Sequence, residues 1–366
     1  MTPFERRTRR AQERLRAADA DALVCAPGRD CQYLADVESE QSDRLQLLVV
    51  PAEDDPTFVV PALDAGPIRA ATWVDDVRTW DDDDGPGTAL DPLLSSLDPS
   101  RLLVSERMWA RFVLDLQERC PEASLGLAGD VLDPLRMRKD ETEREALRAA
   151  AEVADAAMRD VRALGDEAVG QTEADLAAFV AERLDAHGGE ETAFDTIVAS
   201  GPNGADPHHA SGDREIRAGD SVVFDFGTRV DGYVSDQTRT VVFDGDPDPE
   251  FETVHDVVRE AQAAGVAAVE PGVTTDAVDR AAREVIDAAG YGEAFVHRTG
   301  HGVGLDVHEA PSVVAGDGTT LEPGMAFSVE PGVYLPDRFG VRIEDVVLVT
   351  EDGAERLNRT DRGWRC

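Results

Sequence analysis

A chain of 366 residues with 42% hydrophobic content is long enough for two domains and can bury a sizeable core. Its 75 Asp and Glu against 36 Lys and Arg give a formal net charge of -39, which repels nucleic acid and anionic membrane surfaces and argues against both as partners. Only one of those cations is a lysine, Lys139. Such a composition suits a salt-loaded cytosol, where a Debye length of about 3 Å at 1 M salt screens the self-repulsion.

Residues 5–18 have the spacing of a charged helix, and ALVCA (22–26), RLQLLVV (44–50), TFVV (57–60) and RLLV (101–104) are short apolar runs between Pro, Gly and Asp punctuation. They predict an α/β domain over residues 1–130. The Asp81–Asp84 run lacks the spaced ligands of a calcium loop and reads as solvated. Four scattered cysteines without a CxxC pair read as reduced thiols. With no apolar run long enough for a membrane span and no signal-like start, a cytoplasmic protein is expected.

Near residue 135 the texture changes, and a second domain is expected over 136–366. Asp140 can cap a long Ala/Glu/Arg helix to about residue 164. A second helix over 172–187 opens on Thr172 with Asp175 three residues on, and closes at Gly188. Strand candidates SVVFDFG (221–227) and RTVVF (239–243) follow. The order then recurs: helices over 253–269 and 275–289, then AFSVE (326–330) and VRIEDVVLV (341–349). Thr172 to Thr274 is 102 residues, Asp225 to Glu330 is 105, and Asp236 to Glu344 is 108. Two helices and a ribbon bearing two carboxylates therefore occur twice. If the halves face each other across a pseudo-twofold axis, the four carboxylates converge.

Asp225 sits in an otherwise apolar strand, where a carboxylate is costly unless paired or metal-bound; taken alone, it could also be a strand-end Asp meeting solvent. Asp236 follows after a turn at Asp231-Gly232. In HRTGHGVGLDVHE, His297 and His301 are four apart, but Gly300, Gly302 and Gly304 argue against a helix. The expectation is a tight glycine turn presenting His301, with His308 facing the same cavity. Glu330 ends an apolar strand before Pro331, and Glu344 lies between apolar runs. Four carboxylates and one imidazole form a mainly oxygen donor set, which suits manganese, cobalt or iron better than a structural zinc.

These elements resemble the pita-bread metallopeptidases: methionine aminopeptidase, Xaa-Pro aminopeptidase and prolidase. The similarity runs from about residue 136 to 366, and residues 1–130 resemble the creatinase/prolidase-type N-terminal domain, with YLADV (33–37) in the place of that domain's usual strand. The resemblance implies an α/β domain followed by an α+β pita-bread domain with an internal pseudo-twofold repeat. It implies a hydrolase with two divalent metal ions, manganese or cobalt before iron or zinc. Asp225, Asp236, His301, Glu330 and Glu344 match the metal ligands, with Asp236 and Glu344 bridging. Glu330 matches the proton carrier, and His208 and His308 match the substrate-facing histidines. The neighbouring His209 reads as incidental, and His297 as support for the ligands. A homodimer acting on peptides is also implied.

Hydrolysis of the Xaa-Pro bond would proceed by attack of a metal-activated hydroxide. One departure bears on specificity. The arginine that often follows HExP in dipeptide-cleaving relatives is replaced by Ser312 after HEAP. That shifts the expectation towards Xaa-Pro aminopeptidase, with Xaa-Pro dipeptidase as the alternative and Arg338 or Arg342 as substitute carboxylate binders. A metal-free creatinase-type amidinohydrolase and a non-catalytic binding module fit less well, because the ligand set is intact.

Overall fold

In the computed structural model, which describes residues 1–366, the chain divides between Arg136 and Met137. The first unit is a six-stranded mixed sheet with helices. Strands β1 (Ala22–Cys25), β2 (Leu47–Pro51), β3 (Thr57–Pro61), β4 (Asp76–Trp80), β5 (Arg101–Val104) and β6 (Ser124–Leu127) are ordered β4-β3-β2-β1-β5-β6. The apolar runs β1 and β2 are buried along their whole length, as expected of central strands covered on both faces. The helices are α1 (Pro3–Ala17), α2 (Arg29–Ala35), α3 (Ala65–Ala71), α4 (Gly87–Leu97), α5 (Ala110–Arg119) and α6 (Gly129–Arg136). The YLADV segment is no strand: Tyr33–Ala35 form the last turn of α2, which ends where Asp36 takes a left-handed φ of 60°. A run this short and apolar satisfies a helix and a strand equally well, and packing decides.

The second unit holds two matching halves. In the first, α7 (Glu141–Ala163) starts from a capping box between Asp140 and Glu143 and buries an alanine stripe that includes Ala146, Ala150, Ala154 and Ala157. Its partner α8 (Glu173–Ala186) starts from a second box between Thr172 and Asp175. Strands β7 (Ile197–Ser200) and β8 (Val222–Phe226) follow. A two-residue ribbon, β9 (Arg229–Val230) and β10 (Tyr233–Val234), then reverses at Asp231 and Gly232, both at positive φ. β11 (Gln237–Val241) completes a sheet ordered β11-β8-β7. Val222, Phe224 and Phe226 share one apolar core with Ala154 and Leu176.

The second half repeats this with α9 (Phe251–Ala267), α10 (Thr275–Ala288), β12 (Gly300–Gly302), β13 (Glu309–Val313) and β14 (Ala326–Val329). A hairpin of β15 (Gly332–Leu335) and β16 (Phe339–Arg342) precedes β17 (Asp345–Thr350) and β18 (Gly353–Arg356), and the sheet is ordered β13-β12-β14-β17-β18. Equivalent details mark the repeat. Thr172 bridges Glu215 in one half as Thr274 bridges Thr320 in the other.

The halves meet at the carboxylates. Thr238 of β11 forms an antiparallel bridge with Glu344, and the Glu344 amide donates to the Thr238 carbonyl at 3.1 Å. This contact corrects the single strand expected over 341–349. The backbone leaves the β15–β16 hairpin after Arg342, crosses to β11 at Glu344, and only then enters the main sheet.

The glycine turn expected at His301 is also corrected. Residues 300–302 form a strand, with a register shift between His301 and Gly302. Neither flanking glycine needs positive φ; a Cβ on Gly300 would lie 1.9 Å from the Ser328 carbonyl oxygen, and one on Gly302 2.1 Å from that of Ala310. The glycines permit close strand packing, not a reversal. The four cysteines are free thiols, and no helix is long and apolar enough to cross a membrane.

Candidate metal centre

Each carboxylate reaches the centre from a strand or strand end. Asp225 lies within β8 opposite Thr238, Asp236 immediately precedes β11, Glu330 follows β14, and Glu344 precedes β17. Donor atoms of Asp236, His301 and Glu344 lie within 4.8 Å of one another. His301 Nε2 is 3.2 Å from Glu330 Oε1 and 3.7 Å from Asp236 Oδ2. Its strand is fixed by the Ser328 hydroxyl, which accepts from the His301 amide at 3.1 Å and donates to Glu330 Oε1 at 3.1 Å. Thr238 Oγ1 donates to Glu344 Oε2 at 2.6 Å.

Two buried carboxylates, Asp236 and Glu344, and two half-buried ones, Asp225 and Glu330, thus crowd together with Arg342 as their one paired guanidinium, and their proton affinities respond. Burial, then repulsion from Asp225 and Glu330, pushes Asp236 well above the usual carboxylate range. Burial and Asp236 do the same to Glu344. Asp225 is raised by burial, with Arg342 opposing. Burial also pushes Glu330 up, but the hydrogen bond and charge of His301, with His297 and Arg342, overcome this and hold it at about 2. His301 is raised: burial lowers it, and Glu330 and Asp236 outweigh burial.

Asp225 Oδ1 is buried without any hydrogen-bond partner. A carboxylate oxygen orphaned among like charges is costly in a folded protein. Divalent cations would satisfy it and neutralise its neighbours, so the residues present fit a metal site.

Arg342, named from sequence as a substitute carboxylate binder, already has its partners inside the protein. It is buried, and its Nε, Nη1 and Nη2 donate to Thr238 Oγ1 (3.2 Å), the Tyr334 hydroxyl (2.8 Å) and Asp225 Oδ2 (2.5 Å). Arg342 is the internal counter-ion of Asp225. His297 Nε2 meets the same Tyr334 hydroxyl at 2.8 Å, so His297, Tyr334, Arg342 and Asp225 form one chain. His297 is thus tied to Asp225 through two intervening side chains, and it also lines the cavity. Arg338 is exposed and tied to Asp248 and Glu250.

His208 and His308 line the mouth of a cavity of about 500 Å³, together with Phe194, Ile197, Val307, Arg298 and the carboxylates. The His308 ring lies edge-on to His301, with centroids 4.2 Å apart. His209, in contrast, lies outside that lining and has a structural role. It meets the fully buried Glu173 at 2.7 Å, and Glu173 also accepts from Ser200, Asn203 and Gly212, pinning the loop that carries His208. Lys139, the only lysine, is buried in a 2.6 Å ion pair with Glu309, next to His308.

Thr238 and Tyr334 were missed by the sequence reading. Thr238 was open to discovery, since it follows Asp236 at strand period and so shares its face. Nothing in the sequence signalled Tyr334.

Residues 145–351 match the model of metallopeptidase family M24, and residues 7–138 that of the creatinase/prolidase N-terminal domain. The chain belongs to metallopeptidase family M24. This M24 chain is 46% identical over 352 residues to a Mycobacterium tuberculosis protein named "Probable dipeptidase PepE", covering 93% of this chain and 92% of the other. It is 44% identical over 233 residues to the Xaa-Pro dipeptidase of Pyrococcus furiosus, covering 64% of this chain and 66% of that one. The crystal structure of dipeptidase PepE from Mycobacterium ulcerans superposes with a TM-score of 0.92 at 41% identity, covering 99% of this chain and 97% of that one. The M24 chain is therefore a peptidase hydrolase with the pita-bread fold, of a family that works with metal ions.

Proposed function

We propose that this metallopeptidase is a dipeptidase of the prolidase kind, hydrolysing Xaa-Pro dipeptides. One observation carries the reading: likeness along nearly the whole of both chains to proteins named dipeptidases, with a further match to an Xaa-Pro dipeptidase. This reverses the lean towards aminopeptidase. Ser312 remains the observation favouring an Xaa-Pro aminopeptidase, because a short neutral side chain cannot grip a substrate carboxylate.

In this reading Asp225, Asp236, His301, Glu330 and Glu344 would hold two divalent ions, manganese or cobalt. Bound there, such ions would supply Lewis acidity that lowers the pKa of water from about 15.7 towards 7 and polarises a carbonyl. The protein's own groups do the rest. Glu330, beside His301 on the cavity wall, carries the proton from the attacking water to the leaving proline nitrogen. His308 and His208 offer ring N–H donors to the carbonyl oxygen as it gains charge. The Tyr334–Arg342 chain holds Asp225 in place. Phe194, Ile197 and Val307 give the cavity an apolar wall suited to a pyrrolidine ring.

The test compares Ala-Pro with the same peptide extended by two residues, and with Ala-Ala, in molar KCl with manganese or cobalt added. Ala-Pro is expected to show clearly the highest kcat/KM. Equal or faster cleavage of the extended peptide would overturn the dipeptidase reading. Equal cleavage of Ala-Ala would remove only the proline preference.

A further inference from the structure

A dipeptidase must sense the free carboxylate one residue beyond the bond it breaks, and the usual places for a cation here are closed. Ser312 is neutral and takes no part in the cavity lining. Arg338 is held by Asp248 and Glu250, and all three kinds of Arg342 nitrogen are engaged. One cation of the lining remains. Arg298 is half-buried in the cavity wall, and its guanidinium makes no ion pair or hydrogen bond within the chain. In a protein with 75 acidic groups for 36 Lys and Arg, an arginine left free in the wall of the site stands apart.

Its backbone is nevertheless fixed on both sides. The Arg298 carbonyl accepts from His297 Nδ1 at 2.7 Å, and the His297 carbonyl accepts from Arg283 at 2.7 Å. On the other side, the Thr299 amide donates to Val313 at 3.0 Å and its hydroxyl to Asp279 at 2.7 Å. The head is free on an anchored base, two residues before β12, which carries His301.

We infer that Arg298 receives the substrate's α-carboxylate and so sets the length of peptide that is cut. This rests on the dipeptidase reading above. The planar guanidinium fork matches a carboxylate through two parallel charge-assisted hydrogen bonds. Long-range attraction cannot serve in molar salt, where the Debye length is about 3 Å, so the carboxylate must be read by contact. An extended or amidated substrate places a neutral amide there and forfeits the pair.

The experiment measures kcat and KM for an Xaa-Pro dipeptide and for its carboxamide, using the metal-loaded wild type, R298Q and R298M. The wild type is expected to prefer the acid. Both variants are expected to lose roughly 10- to 100-fold in kcat/KM on the acid, mainly through KM, so that preference for the acid over the amide collapses. R298M keeps the packing of the aliphatic stem, so it serves if R298Q does not fold. A variant that keeps the acid preference, or loses both substrates equally, overturns the inference while leaving the dipeptidase reading in place. A wild type that does not distinguish acid from amide removes the dipeptidase reading itself, and the role of Arg298 with it.

Discussion

In the first half of the catalytic unit, Asp225 lies inside β8, opposite Thr238. In the second half, β14 ends at Val329 opposite Asp345, and Glu330 and Glu344 lie one residue beyond that pair. In the first half Asp236 is thus two residues away from Thr238, the partner of Asp225, while in the second half Glu330 and Glu344 continue the register as a facing pair, and Thr238 of one half reaches Glu344 of the other. Both supply two carboxylates, but the imidazole beside them comes only from β12; the equivalent β7 offers Ile197 and an apolar wall. The two halves share an acidic ribbon, and the differences between them place the imidazole on one side and an apolar wall on the other.

The sharpest test of that division removes from each half one carboxylate proposed above to bind metal. Asp236→Asn and Glu344→Gln are each expected to lower turnover on the order of 1,000-fold or more and to deplete bound metal. The metal-free variants should melt no lower than metal-free wild type. Burial and mutual repulsion raise both carboxylates, so their ionised forms destabilise the metal-free fold above the ordinary carboxylate pKa, and neutral amides relieve this. Activity assays, metal analysis and thermal melts check all three points. Wild-type turnover in either variant would break the equivalence of the halves.

Acid stability should separate the halves next. Half of the residues that α7 buries are alanine and its buried titratable groups are the carboxylates Glu143 and Asp155, whereas α9 buries His255, and burial lowers that ring to about 4. The unfolded chain binds a proton near pH 6.5 and the folded one only near 4, so this stabilising contribution is present above 6.5 and is lost as pH falls between those values. The loss is up to about 3 kcal/mol. Denaturant titrations of wild type and His255→Leu across that window should show a shallower decline in the variant. Parallel declines would show that His255 does not set the acid limb.

The smallest effect concerns the caps. Thr172 accepts from the Asp175 amide in a complete box, while Thr274 makes no side-chain cap bond. Thr172→Ala should cost about 1 kcal/mol and Thr274→Ala only a few tenths. Equal costs would mean that both caps work alike.

The features that the sequence displayed were local ones. Capping boxes at Asp140 and Thr172, and carboxylates at fixed offsets in apolar strands, depend on near neighbours. What stayed hidden was set by distant backbone. The strand at His301 exists because Ser328 and Ala310 lie against Gly300 and Gly302, and the same glycines in isolation read as a turn. The break after Arg342 depends on Thr238, more than a hundred residues earlier. An arginine's role is equally invisible in one dimension: Arg342 is an internal counter-ion and Arg298 a free one, and only their partners distinguish them.

In the function proposed above, carboxylates from both halves hold two metal ions that peptide hydrolysis requires. Chelator-stripped enzyme, titrated with manganese or cobalt in molar KCl while bound metal and Ala-Pro hydrolysis are both followed, tests it most directly. No turnover is expected without metal, and activity should saturate at two ions per chain. Undiminished hydrolysis by the stripped enzyme, or full activity with the metal sites still empty, would contradict it.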